Sequence, residues 1–289
     1  MNEQETVLVV GATGYLGRYI VAELHRRGVR VRAVVRSRVR AEEEGAWGAP
    51  SLEGLVDEWA EGAVTDLTFT TELAKGVDRV ISALGVTKQK ADPWAVDYGA
   101  NLNVLRSAVE YDVKSFCFVN VIGGDKCPAQ LTKAKAAFVK DLKASAIISE
   151  VVNPPAYFSD MTEVFKMAQQ GRVYLFAPEV RINPIHGADL AAFCVDRLLE
   201  GKVGEWNVGG PEVFTWREVA TCAFEALGKP AKISRVSPMV LKPLIGIMQL
   251  FNKRKADTLR FVSWSMTHDC MGQTTGTHKL LDFYTAQAR

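Results

Sequence analysis

A short stretch near the start of the chain has the residue types and spacing to hold a phosphate. Gly11-Ala12-Thr13-Gly14-Tyr15-Leu16-Gly17 sets glycines in a GxxGxxG pattern. It follows the β-branched run Thr6 to Val10 and opens a stretch with Leu16, Ile20 and Leu24 on one helical face. Gly11 permits a tight turn, Gly14 lets the backbone approach a pyrophosphate, and Gly17 lets helix pack closely on strand. The helix start offers its N–H groups and the positive end of its dipole to the same phosphates. The second strand-like run, Val29 to Val35, leads into Arg36-Ser37-Arg38-Val39-Arg40, and no carboxylate occurs before Glu42. A site for NAD places an acidic residue hereabouts on the ribose 2′-hydroxyl, whereas a guanidinium grips a 2′-phosphate. The sequence therefore favours NADP(H), with Arg36 on the phosphate and the neighbouring arginines mostly solvated. The triplet Glu42 to Glu44 argues against a nucleic-acid patch.

These residues need a parallel sheet to position them. Strands are expected at Thr6 to Val10, Val29 to Val35, Ala63 to Val64, Arg79 to Ala83, Ser115 to Val121 and Ile147 to Val152. Helices are expected at Tyr15 to Arg27, Leu67 to Lys75, Asp97 to Tyr111 and Ala129 to Ala144, with Arg36 to Glu61 a surface loop and helix. This alternation predicts an α/β fold: a Rossmann-type, doubly wound parallel sheet over residues 1–155. After Pro155 the rhythm breaks. Residues 156–289 are expected to form a smaller substrate-covering domain, part of it packing back on the Rossmann core. Within it, Thr215-Trp-Arg-Glu218 is a capping box.

Composition narrows the class. The chain has 289 residues and a net charge of only +2, which disfavours a nucleic-acid binder. None of its five cysteines forms CxxC or a zinc spacing, so reduced structural thiols and no metal site are expected. No apolar run approaches the roughly 20 residues that cross a bilayer. The first apolar run leads straight into the glycine turn, so it reads as a strand and not a signal peptide. A cytoplasmic or other reducing compartment is the expected location.

The motifs resemble the short-chain dehydrogenase/reductase superfamily in its atypical, NmrA-like branch, over nearly the whole chain. Within that branch the chain is similar to proteins grouped with divinyl chlorophyllide reductases, through Ser82-Ala-Leu-Gly-Val-Thr-Lys88, Tyr157-Phe-Ser-Asp-Met161, Gly171-Arg-Val-Tyr-Leu-Phe176 and Ile182-Asn-Pro-Ile-His-Gly-Ala-Asp-Leu-Ala191. The resemblance implies that Gly11, Thr13, Gly14, Tyr15, Leu16 and Gly17 hold the pyrophosphate. It puts Asp66, with Leu67, at the adenine, and Ala83, Leu84 and Gly85 beside the cofactor. Asn101 falls at the family's helix asparagine, Pro154 follows the sixth strand, and Lys135 is the lysine of the Tyr-x-x-x-Lys pair. The tyrosine position of that pair is Leu131, which cannot pass a proton, and the serine expected at the end of the fifth strand is absent.

The chemistry expected is therefore not ordinary carbonyl–alcohol exchange. It is NADPH-dependent hydride transfer to a hydrophobic or conjugated small molecule, with Lys135 assisting and Tyr157 a candidate replacement proton donor. The alternative is a non-catalytic NADP(H)-binding sensor, assembly factor or accessory subunit. Lys133, two residues from Lys135, lies on another helical face and is expected in solvent. His186 is expected to fix a loop and helix start, and His268 and His278 to be surface histidines. The apolar stretch Met239 to Phe251 is expected to be a core helix. Because Asn252 to Lys255 is basic, contact of 239–255 with a membrane surface or a protein complex stays open. The sequence leaves the oligomeric state open.

Overall fold

The computed structural model describes residues 4–86 and 91–288. Thr87 and Lys88, which end one of the resemblance motifs, lie outside the described residues, as do the first three. The strands in chain order are β1 (Thr6–Val10), β2 (Arg30–Val35), β3 (Glu58–Glu61), β4 (Arg79–Ser82), β5 (Ser115–Val119), β6 (Ile148–Asn153), β7 (Val173–Leu175), β8 (Arg181–Ile182), β9 (Gly204–Gly209), β10 (Phe214–Thr215), β11 (Ile233–Arg235) and β12 (Gln273–Thr274). Eight of them form one sheet in the order β12-β9-β6-β5-β4-β1-β2-β3. The pairings β1 with β2, β1 with β4, β2 with β3, β4 with β5 and β5 with β6 are all parallel. The expected Rossmann-type order is present, and it reverses direction between β1 and β4, where such sheets open a ligand crevice.

Contacts divide the chain into two compact units. The first comprises Met1–Asn120, Ala134–Val152 and Leu190–Trp206; the second comprises Val121–Lys133, Asn153–Asp189 and Asn207–Arg289. The chain passes between the units repeatedly, and 190–206 belongs with the first. In the first unit the helices are α1 (Tyr15–Arg26), α2 (Arg38–Glu42), α3 (Leu67–Thr70) and α4 (Asn101–Glu110), preceded by a π-helical segment at Trp94–Ala100. Helices α5 (Gln130–Ala144) and α7 (Gly187–Glu200) each cross a unit boundary, with α6 (Phe158–Gln169) between them. The β-branched and aromatic strands bury completely: Leu8, Val10, Val80, Phe116, Phe118 and Val151 pack with Val104, Phe138 and Leu142. Phe138 of α5 meets the Phe118 ring edge-on at 4.6 Å, which locks that helix onto β5.

One strand lies elsewhere than expected. The third is Glu58–Glu61, inside the stretch read as loop and helix, and Ala63 and Val64 lie beyond it. Its sequence, EWAE, is polar because it is the sheet's edge. Glu58 pairs with Arg30 and Arg32 of β2 at 2.8 and 2.6 Å, so cross-strand charge replaces the apolar signal.

In the second unit, α6, α8 (Trp216–Ala226) and α11 (Leu280–Ala288) form a small helical core. Tyr284 is buried, stacks on Phe165 at 5.0 Å and donates to the Met161 carbonyl at 2.9 Å. The expected capping box at Thr215 and Glu218 opens α8. Helices α9 (Leu241–Phe251) and α10 (Lys253–Ser265) form a hairpin after a 3-10 turn at Pro238–Val240. The core role expected for Met239 to Phe251 is overturned, since Met239, Leu250 and Phe251 are 83, 82 and 85% exposed. An apolar run cannot by itself tell a core helix from one that faces outward.

Candidate functional site

The glycine turn sits where β1 and β4 both end. Gly11 has φ +79°, and a Cβ there would lie 2.9 Å from the Ala83 carbonyl carbon and the Leu84 nitrogen. A Cβ on Gly17 would stand 2.1 Å from the Gly11 oxygen. Both positions therefore exclude any side chain, one against β4's exit and one against the turn itself. Gly14 differs: a Cβ there would meet no described atom within 4 Å except the Gly11 oxygen, at 3.3 Å, so that side of the turn is open. Gly14 is the N-cap of α1, which carries no side-chain cap and no acidic residue in its first turn. A helix start left without an internal anion fits a dinucleotide pyrophosphate.

Arg18, one residue past the turn, is buried and had no place in the sequence reading. It donates to five backbone carbonyls: Thr13 at 3.2 Å, Arg40 at 3.0 Å, Ala41 at 3.1 Å, Glu43 at 2.7 Å and Pro50 at 2.8 Å. It ties the segment after β2 to the glycine turn. Arg36 stands exposed at the head of that segment, without an ion pair among the described residues. Arg38, by contrast, pairs with Glu42 at 2.8 Å and lies over the Trp59 ring at 5.3 Å. Arg40 is likewise exposed and without an ion pair among the described residues. Asp66 caps α3 by accepting from the Thr68 N–H at 2.9 Å, and Leu67 beside it is exposed.

The third part of the site is a buried polar cluster. Lys135 projects from α5, donates through Nζ to the Val119 carbonyl at 3.1 Å, and lies 3.5 Å from Asp97 Oδ1. Its ammonium also sits 4.8 Å over the Phe118 ring. Asp97 Oδ2 accepts from the Val86 N–H at 3.2 Å. Burial holds the Lys135 ammonium below its usual range, opposed by Asp97; burial raises the Asp97 carboxyl, opposed by Lys135. Gly85 closes the pair: a Cβ there would be 3.0 Å from Asp97 Oδ1 and 3.2 Å from Lys135 Nζ. Asn101 braces the π-helical turn, accepting from Ser82 Oγ at 2.6 Å and donating to the Asp97 carbonyl at 2.9 Å. The structure thus brings Ala83, Leu84, Gly85, Asn101 and Lys135 to one place, and adds Asp97 and Ser82. The sequence reading missed Asp97 because it stood at an ordinary helix start. Its spacing of four from Asn101 was the available signal. Lys133 is exposed, as expected.

Leu131 lies at the start of α5, and Asp257 holds that start from α10. Its carboxylate accepts from the Gln130 N–H at 2.8 Å and the Leu131 N–H at 3.3 Å.

Pro154 and Tyr157 belong to the second unit. Tyr157 is the N-cap of α6, and its N–H donates to Asp160 at 3.0 Å. The His186 ring accepts the Ala188 N–H at 3.2 Å and stacks on His278 at 4.1 Å. Burial and the neighbouring His278 push its pKa down to about 4, so it stays neutral and anchors the start of α7. His278 in turn bonds Asp189 at 2.8 Å, whose other oxygen accepts the N–H groups of Thr277 and His278. His268 is exposed and stacks on Trp264 at 4.8 Å.

A glycine turn at the β1/β4 crevice of a 3-2-1-4-5-6 parallel sheet defines a Rossmann-type dinucleotide-binding protein. A family model described as NAD(P)H-binding matches residues 11–200, and the chain belongs to that family, as an atypical short-chain dehydrogenase/reductase. NAD(P)H is accordingly its cofactor. The chain is 29% identical over 269 residues to the chloroplastic divinyl chlorophyllide a 8-vinyl-reductase of Arabidopsis thaliana, covering 86% of this chain and 63% of that protein. It is 28% identical over 165 residues to a photosystem II assembly factor of Cyanidium caldarium, covering 55% and 49%. The chain thus spans less than two thirds of the length of these relatives. Among solved structures, an Escherichia coli NADPH-dependent quinone oxidoreductase in complex with NADPH superposes with TM-score 0.75 at 18% identity. That match covers 98% of this chain and 100% of the other and shows the shared fold.

Proposed function

We propose that the protein is an NADPH-dependent reductase that adds hydride to an electron-poor carbon–carbon double bond of a hydrophobic, conjugated small molecule. The observation that carries the proposal is the buried Lys135–Asp97 pair, 3.5 Å apart, with Lys135 on a helix whose tyrosine position is Leu131. Bound NADPH supplies the hydride. The turn at Gly11, Gly14 and Gly17 would hold the pyrophosphate, and Arg36 the 2′-phosphate. Lys135 would orient the ribose and hold positive charge beside the reacting carbon. Without a tyrosine, the proton for the neighbouring carbon would come from water or from Tyr157. A vinyl group conjugated to a macrocycle needs little acid help, which suits a site lacking an optimal donor. The divinyl chlorophyllide reductases among the relatives support this substrate class.

The test is NADPH consumption against a panel of divinyl tetrapyrroles, enones and simple ketones. Consumption with the conjugated compounds and not the ketones is expected, and the reverse pattern would overturn the proposal. The assembly-factor relative supports a second reading, a cofactor-binding subunit that associates through 239–255; no consumption with any compound would favour it.

A further inference from the structure

Between residues 226 and 256 the chain carries seven lysines and arginines and no aspartate or glutamate, although its net charge is only +2. Among the described residues, the same stretch contains the most exposed large apolar side chains. Met239, Leu250 and Phe251 are more than four-fifths exposed, and Val240 and Ile247 are about half exposed, at 49 and 59%. Pro243, Ile247, Leu250 and Phe251 recur at intervals that line one face of α9, and Met239 extends that face back by a turn. Lys253, Arg254 and Lys255 follow at once in the first turn of α10, all exposed.

We propose that this α9–α10 face is an interfacial anchor that lies on an anionic lipid bilayer. Leu250 and Phe251 would enter the boundary of the acyl chains while the basic residues meet the headgroups. Two features select a bilayer over a protein groove. The apolar side chains stand exposed along one helix face, and the basic residues flank them without one intervening carboxylate. At eleven residues α9 is too short to span the membrane, so it would rest on it. The proposal does not rest on the reductase reading and is tested without NADPH.

The experiment is co-sedimentation of the full chain with vesicles of phosphatidylcholine, alone or mixed with phosphatidylglycerol, at low and high salt. Binding to the mixed vesicles, reversed by salt, is expected. L250S/F251S should weaken partitioning at least about tenfold. K253Q/R254Q/K255Q should weaken it about a hundredfold, at about fivefold per charge. Circular dichroism checks that both variants remain folded; if either does not, the lipid and salt dependence of the unaltered chain decides. Failure to bind the mixed vesicles, or equal binding by all three proteins, overturns the proposal. A dimer that L250S/F251S breaks, with no vesicle binding, would assign the face to a second copy of the chain.

Discussion

Glu150 is fully buried on β6 opposite Cys117, and neither carboxyl oxygen has a hydrogen-bond partner among the described residues. Burial pushes its pKa up to about 8, against the pull of Arg79 and Arg197, so the native state holds it protonated. A raised native pKa contributes stability that is fully present below the unfolded value of 4.5 and is lost as pH rises through about 8. Within that window the loss approaches about 1.4 kcal/mol per pH unit. Denaturant titrations from acid to mildly alkaline pH should show this slope in the unaltered chain and a flatter one in Glu150→Gln; parallel slopes would refute it. Lys135 and Asp97 are coupled differently, because each is the other's counter-charge. Asp97→Ala leaves a buried ammonium without its partner and should cost about 3 kcal/mol, read by the same titrations. Lys135→Ala should lower turnover about a hundredfold. If turnover were unaffected, the pair would be structural only.

At the scale of elements, the glycine turn and the segment after β2 act as one device through Arg18. Replacing Arg18 with Met removes its hydrogen bonds to five carbonyls, of which Ala41's keeps the Leu52 N–H, and should loosen residues 38–50. Calorimetry should then show a larger loss of affinity for NADPH than for NADH, because only the former needs Arg36 held in place. Gly14→Val should abolish binding of both cofactors with little loss of fold, since its Cβ would press only on the Gly11 oxygen, at 3.3 Å, and the branched side chain occupies the pyrophosphate's room. The glycine turn was legible because its geometry is written into residue types: only glycine fits Gly11 and Gly17. Parallel strands buried on both faces were legible from their β-branched runs. Edge strand β3 was hidden by its own ion pairs. The buried role of Asp97 depends on a π-helical turn that periodicity does not announce, and the role of Arg18 depends on carbonyls up to 32 residues away. The outward face of α9 was not legible either, since hydropathy reports apolar character and not direction.

The molecule as a whole joins a dinucleotide-binding sheet to a helix with leucine, Leu131, at the usual proton donor's position. Among the described residues no helix is long and apolar enough to cross a membrane. A charge-assisted grip on the 2′-phosphate is worth about 1.5–3 kcal/mol, so NADPH should bind at least about tenfold more tightly than NADH, and Arg36→Ala should erase the difference. Equal affinities in the unaltered chain would remove Arg36 from the site. The central claim is that hydride passes from NADPH to a conjugated double bond with the proton drawn from water or a nearby side chain. Its most direct test is a single turnover with NADPH deuterated at the transferring C4 position, in ordinary water, with divinyl chlorophyllide a as acceptor. The account predicts a reduced product that carries one deuterium on carbon; NADPH left unconsumed, or a reduced product without deuterium, would contradict it.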